Sequence, residues 1–179
     1  VLDCKKALVE CKGDLDKSAE LLRKRGLAAA SKKSGRTASE GVIASYIHSN
    51  AKIGVLLELN CETDFVAKNE DFRELSKDIC MQIAASNPLY IDIDNVPQEE
   101  IDKEKEIYRE QLKDSGKPDN VIEKIIEGKL KKYYAEVCLL EQQYIKDSSL
   151  TVQDLIKNKI ATYGENITVG RFIRYQIGE

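Results

Sequence analysis

One histidine, no cysteine pair at metal-ligand spacing, no surplus of positive charge and no long apolar run: each of these shortages removes a class of function from this 179-residue chain. The histidine, His48, sits at the end of a strand-like run, and neither a cysteine nor an acid stands at ligand or triad spacing from it, so it reads as a turn or surface residue. Cys4, Cys11, Cys61, Cys80 and Cys138 are odd in number and form no CxxC, which argues against a disulfide framework and against structural zinc. Cys61 has no Lys, Arg or His beside it to lower its pKa and is expected to be a packed thiol. With 28 Lys and Arg against 31 Asp and Glu, the net charge of -3 offers no footprint for a phosphate backbone, and no direct nucleic-acid partner is expected. No apolar stretch approaches the roughly 18 residues of a membrane span, and no secretory signal opens the sequence. These features predict a soluble cytoplasmic protein without membrane contact.

A phosphate loop is missing too. Gly164 and Gly170 are separated by five residues, and Arg171 stands where such a loop needs Lys. No catalytic group, metal or cofactor is therefore expected, and any nucleotide involved belongs to a partner.

What the chain does have is 42% hydrophobic residues, enough for one ordinary domain with a small appendage. Residues 1–26 read as two short helices joined at Gly13-Asp14, with Ala7, Leu8 and Cys11 on one apolar face and Leu15, Ala19 and Leu22 on the other. Gly13 suits a C-cap and Asp14 an N-cap. Residues 27–39, rich in Ala, Ser, Lys and Gly, read as a mobile linker with room for one last helical turn at its start. Residues 40–179 then form the core domain. It begins with strand runs Val42 to His48 and Ile53 to Leu59, whose short polar connection predicts an antiparallel hairpin with the second strand the more buried. A helix from Asn69 to about Ala85 carries Phe72, Leu75, Ile79 and Ile83 on one stripe and stops at Asn87-Pro88. Two charged helical patterns between Pro97 and Gln142, split at Asp114 to Pro118, predict a projecting helical hairpin. A weak strand at Gln143 to Ile145, a helix from Thr151 to Ile160 and a strand from Ile167 to Ile177 complete an α+β fold of antiparallel sheet packed with helices.

The most informative segment is Asn60-Cys61-Glu62-Thr63-Asp64-Phe65-Val66-Ala67-Lys68, where an apolar strand stops and an aromatic stands beside an acid. Two readings are open on local grounds. Phe65 is either a ring held out toward another molecule from a rigid turn, or a core staple with Asp64 as the cap of the next helix.

Together with Leu2-Asp3-Cys4-Lys5-Lys6-Ala7-Leu8 and Val169-Gly170-Arg171-Phe172-Ile173-Arg174-Tyr175, this segment resembles bacterial translation elongation factor Ts, the guanine nucleotide exchange factor for elongation factor Tu. The resemblance runs over nearly the whole chain and rests on two motifs far apart in the right order, Asp-Cys-Lys-Lys-Ala-Leu and Thr-Asp-Phe-Val. It implies that residues 1–26 are similar to a ubiquitin-associated module whose first helix is absent here. It also implies that Leu2, Asp3, Cys4, Lys5, Lys6 and Ala7 dock on the nucleotide-binding domain of elongation factor Tu. Thr63, Asp64, Phe65 and Val66 would displace the Mg2+ beside GDP, with Phe65 as wedge and Asp64 fixing its approach. Tyr46, Arg171 and Arg174 read either as further contacts from the sheet or as ordinary residues of an exposed sheet face. Short members of the family carry one copy of the core motif, which implies a homodimer, expected at the sheet edge from Val169 to Tyr175. The rival readings are a peptide-binding module of ubiquitin-associated type unrelated to nucleotide exchange, and a thiol enzyme using Cys61.

Overall fold

The computed structural model describes residues 2–113 and 115–178, apart from the side chain of Leu27. Asp114, part of the expected hairpin break, and the terminal positions of the expected domains lie outside the described residues. The chain divides into two compact units, Val1–Ser45 with Leu56–Asp78 and Asp154–Ile173, and Tyr46–Val55 with Ile79–Gln153 and Arg174–Glu179.

In the first unit, α1 (Leu2–Glu10) and α2 (Leu15–Ser31) meet at a tight corner. Gly13 adopts the left-handed conformation (φ 85°) that ends a helix, and the Asp14 carboxylate accepts the Lys17 N–H at 3.0 Å to begin the next. The inward faces differ from the expected ones. Ala7 is buried, but Leu15 and Ala19 are exposed, and the buried residue of the first turns of α2 is Ser18. A serine is tolerated there because its hydroxyl reaches both the Ala7 and the Asp14 carbonyls, leaving no orphan polar group.

Residues 27–31, where the sequence left room for a last helical turn before a linker, continue α2 to Ser31. The run Leu27-Ala28-Ala29-Ala30 is among the strongest helix-forming composition a sequence can hold, and it overrides the small-residue signal. Gly26 lets α2 lie against α7 (Val152–Tyr163), since a Cβ there would sit 3.1 Å from the Ala161 methyl. The segment after α2 is also tied down. The buried Asn166 side chain donates to the Ser34 carbonyl at 3.3 Å and to the Arg36 carbonyl at 2.7 Å.

The sheet consists of β1 (Glu40–Ile47), β2 (Ile53–Cys61) and β5 (Ile167–Gln176) in the order β1-β2-β5. His48 N–H bonds to the Ile53 carbonyl at 2.9 Å and closes the β1-β2 hairpin, as the short connection predicts. Gly41 is needed where the strands run close, because a Cβ there would fall 2.3 Å from the Leu59 carbonyl oxygen. Strand β2 is not buried on both faces. Val55, Leu57, Leu59 and Cys61 point inward, whereas Leu56 between them is 49% exposed, so it is an alternating strand with one open side.

Helix α4 (Glu70–Ser86) begins where Asn69 accepts the Asp71 N–H at 2.8 Å and carries Phe72, Leu75, Ile79, Cys80 and Ile83 on its buried stripe. In the first unit Phe72 and Tyr163 pack in a T-shaped arrangement, with ring centroids 6.3 Å apart and planes at 74°.

In the second unit, α5 (Gln98–Leu112) and α6 (Asp119–Val137) form the expected antiparallel pair. Arg109 pairs with Glu123 at 3.0 Å, and Tyr133 donates to Glu100 at 3.2 Å. No residue of α5 is buried, whereas α6 buries Ile126 and Leu130. Strands β3 (Gln143–Tyr144) and β4 (Asp147–Thr151) make a small antiparallel ladder. Beside it the fully buried Gln82 amide donates to the Gln142 side chain and the Gln143 carbonyl and accepts the Ile145 N–H at 2.9 Å. Such a side chain is stable inside only because each of its polar atoms is engaged.

Candidate functional site

The chain leaves β2 at Cys61, and within three residues it forms a single helical turn, α3 (Asp64–Ala67). Thr63, not Asp64, is the cap: its extended backbone (φ -129°, ψ 153°) places the hydroxyl to accept the Val66 N–H at 3.4 Å. A turn this short divides its side chains sharply. Val66 and Ala67 are buried, and Phe65 between the cap and Val66 points away, 80% exposed. The core-staple reading is thereby excluded, since neither its staple nor its Asp64 cap exists.

Asp64 folds along the surface to Lys68, with Oδ2 and Nζ 2.6 Å apart. The hydrogen bond from Lys68 holds the Asp64 carboxyl below the usual carboxylate range, and the same bond raises the Lys68 ammonium. Both groups stand in solvent, so the pair orients Asp64 more than it stabilises the fold.

Two braces fix the backbone under Phe65. Glu165 accepts the Thr63 N–H at 3.0 Å and the Thr63 hydroxyl at 2.7 Å, while Glu62 accepts the Asn166 N–H at 2.6 Å. Arg36 lies 3.6 Å from the other Glu62 oxygen. Beneath the turn, the Cys61 thiol donates to the Thr63 carbonyl at 3.2 Å. Burial, with the nearby Glu165 charge, pushes that thiol above its ordinary pKa, and burial pushes Cys80 up to about 12 and Cys138 to about 11. A thiol shifted upward is protonated at neutral pH, which is the opposite of what nucleophilic chemistry needs.

In the N-terminal motif, Leu2, Asp3, Cys4, Lys5 and Lys6 are exposed, and Leu2 keeps 69% of its surface in solvent. Ala7 is fully buried. Ala7 and Val66 thus hold their helices in place and cannot offer side chains to a partner, which narrows both groups of expected contacts. Tyr46 and His48 form an exposed pair, Tyr46 Oη lying 3.1 Å from His48 Nδ1. On the open face of the sheet Arg171 pairs with Glu58 at 2.8 Å, and Ile43, Leu56 and Ile173 border a shallow apolar groove with them. Arg174 donates to the Ala84 carbonyl at 3.3 Å. No group of three or more His, Cys, Asp or Glu side chains suited to a metal ion occurs among the described residues, and none of their helices is long and apolar enough to cross a membrane.

The motif residues are thus placed as a local sequence pattern can foresee, but Glu165 and Asn166 are additions. Their local signal is weak. Gly164, at φ 76°, ends α7, and the polar pair after it reads as ordinary turn chemistry until the fold brings it against Thr63, 102 residues away from Glu165.

A family model described as Elongation factor TS matches residues 27–179. Over all 179 residues the chain is 60% identical to the Elongation factor Ts of Fervidobacterium nodosum, covering 91% of that protein. It is 58% identical to that of Geobacter metallireducens, covering 83% of it, and 59% identical to that of Thermosipho melanesiensis, covering 91%. Alignment across the entire chain at this identity, on a scaffold that holds the Thr63 to Val66 turn outward, leaves one assignment: the chain belongs to the elongation factor Ts family of translation elongation factors.

Proposed function

We propose that this chain is a guanine nucleotide exchange factor that binds elongation factor Tu carrying GDP, displaces the Mg2+ ion and so releases GDP. The observation that supports it most is Phe65: a large apolar ring with 80% of its surface in water on a braced turn has no role in its own molecule. A GTPase grips GDP through a phosphate cradle and a Mg2+ ion, and a ring inserted behind that ion moves the groups that hold it. Asp64, kept ionised by Lys68, directs the approach by hydrogen bonding.

Burying one Phe is worth about 1.5–3 kcal/mol, or about one to two powers of ten in affinity. Coupling is reciprocal, so displacing GDP by a larger factor needs additional contacts with the nucleotide-free partner. Leu2, Asp3, Cys4, Lys5 and Lys6, exposed on a helix of a ubiquitin-associated-like module, are the second contact in this reading. In a stopped-flow assay, labelled GDP should leave elongation factor Tu much faster as this chain is added, with a rate that saturates. A rate independent of the chain removes the proposal.

The same reading makes the protein a homodimer. Its support is the open side of the sheet, where Ile43, Leu56 and Ile173 stand between Glu58 and Arg171. This moves the expected contact from the edge at Val169 to Tyr175 onto the face, because face-to-face packing covers apolar side chains that an edge contact leaves in water. Light scattering should give about twice the 20.2 kDa chain mass, and Ile173→Glu should return it to one. A wild-type monomer at micromolar concentration sinks the dimer.

A further inference from the structure

We propose that Glu165 is a positioning residue for exchange, a clamp that aims Phe65 without itself touching the partner; this rests on the wedge reading above. Phe65 cannot aim itself. Its ring is in solvent, so its direction is inherited from the backbone of a single helical turn, too short to be stable alone. The first residue of that turn's frame is Thr63. Glu165 engages both of its donors, the N–H at 3.0 Å and the hydroxyl at 2.7 Å. Because the hydroxyl spends its one hydrogen on Glu165, its oxygen is turned to accept from Val66, and the cap and the clamp form a single chain of bonds. The next residue reverses the pattern. Asn166 donates its own N–H to Glu62 at 2.6 Å, and its side-chain amide holds the carbonyls of Ser34 and Arg36. Two adjacent residues after α7 are thus cross-braced to the two residues before α3, charged oxygen to backbone N–H in both directions.

A carboxylate suits position 165 best for a geometric reason. Thr63 presents two donors, and a carboxylate supplies two acceptor oxygens in one plane. A glutamine supplies one oxygen and an NH2 group that faces a donor. Without the clamp the turn samples orientations in which Phe65 misses its slot, and rate is lost in the step after docking while docking itself is preserved.

The test uses the full chain in stopped-flow release of fluorescent GDP from elongation factor Tu. Glu165→Ala should lower the maximal release rate about tenfold with little change in the concentration giving half of it, and Glu165→Gln should fall between Ala and wild type. Combined with Phe65→Ala, Glu165→Ala should add nothing, since a residue that acts by aiming the ring has no effect once the ring is gone. An equal fold-loss in both backgrounds shows that Glu165 has a contact of its own and overturns the proposal, as does a wild-type rate for Glu165→Ala. If Phe65→Ala itself releases GDP normally, the wedge fails and the clamp with it. A slow Phe65→Ala beside a normal Glu165→Ala removes the clamp alone. Hydrogen exchange separates aim from folding: in Glu165→Ala the Thr63 amide should lose protection while the amides of Leu57 and Leu59 keep theirs. Loss across that strand marks Glu165 as structural and also overturns the proposal.

Discussion

Phe65→Ala is expected to slow the release of GDP from elongation factor Tu by about one to two powers of ten, the value of burying one phenylalanine side chain, while leaving the melting temperature of the free protein unchanged. Both halves follow from one observation. The ring is 80% exposed, so its removal takes little contact from the folded chain, and a surface change of this kind costs within about 0.5 kcal/mol. The turn survives because its holding bonds come from elsewhere: the Thr63 cap, Glu165 on Thr63, and the inward Val66 and Ala67. In the proposed mechanism the contribution of the ring appears only when it enters another protein. Phe65→Leu should recover part of the rate, since a branched aliphatic side chain fills a slot by area but not by shape. Stopped-flow release and calorimetry on the same preparation measure the two halves. A wild-type release rate for Phe65→Ala removes the wedge, and a large fall in melting temperature would mean that the ring supports its own scaffold.

The divide between what the residues announced and what they concealed follows the range of the interactions. The β1-β2 hairpin, the Asn69 start and Asn87-Pro88 stop of α4, and the split between α5 and α6 are set by residues within a few positions of one another, and these features stand within about two residues of their expected places. Composition was ambiguous at Leu27 to Ser31, where small residues suggested a linker with room for a last helical turn and alanine decides for helix. It misled at Leu15 and Ala19, where an apolar spacing pointed to solvent and Ser18 turned inward, because the carbonyls that satisfy Ser18 are set by the helix-helix corner. At the site, the exposed aromatic was visible in Thr63-Asp64-Phe65-Val66 as one of two open readings. The capping role of Thr63 decided between them, and nothing near Thr63 in sequence could indicate that its donors end on Glu165. Interactions that fix direction span the chain, whereas those that fix secondary structure do not.

Phe72→Ala is the counterpart and should behave in the opposite way. This ring lies seven residues after Phe65 in the sequence and on the inward stripe of α4, with none of its surface in water and the Tyr163 ring packed nearly perpendicular to it. Truncating a buried phenylalanine costs about 3–5 kcal/mol, from the lost transfer energy and the cavity that close-packed neighbours cannot collapse to fill. Against a total of about 5–15 kcal/mol for a typical domain, that is a large fraction of what holds the chain folded. For a protein of this size the melting temperature should fall by about 6–20 °C. Phe72→Leu keeps most of the volume and should cost less, about 1 kcal/mol. Release of GDP, measured well below the new melting temperature, should proceed at the wild-type rate per folded molecule, because Phe72 presents nothing to a partner. The two phenylalanines therefore give a double dissociation: one variant keeps its stability and loses rate, the other keeps rate and loses stability. Calorimetry that finds Phe72→Ala as stable as wild type contradicts the packing around α4, and a slowed release from its folded fraction means that the core behind the turn, and not only its surface bonds, sets the aim of Phe65.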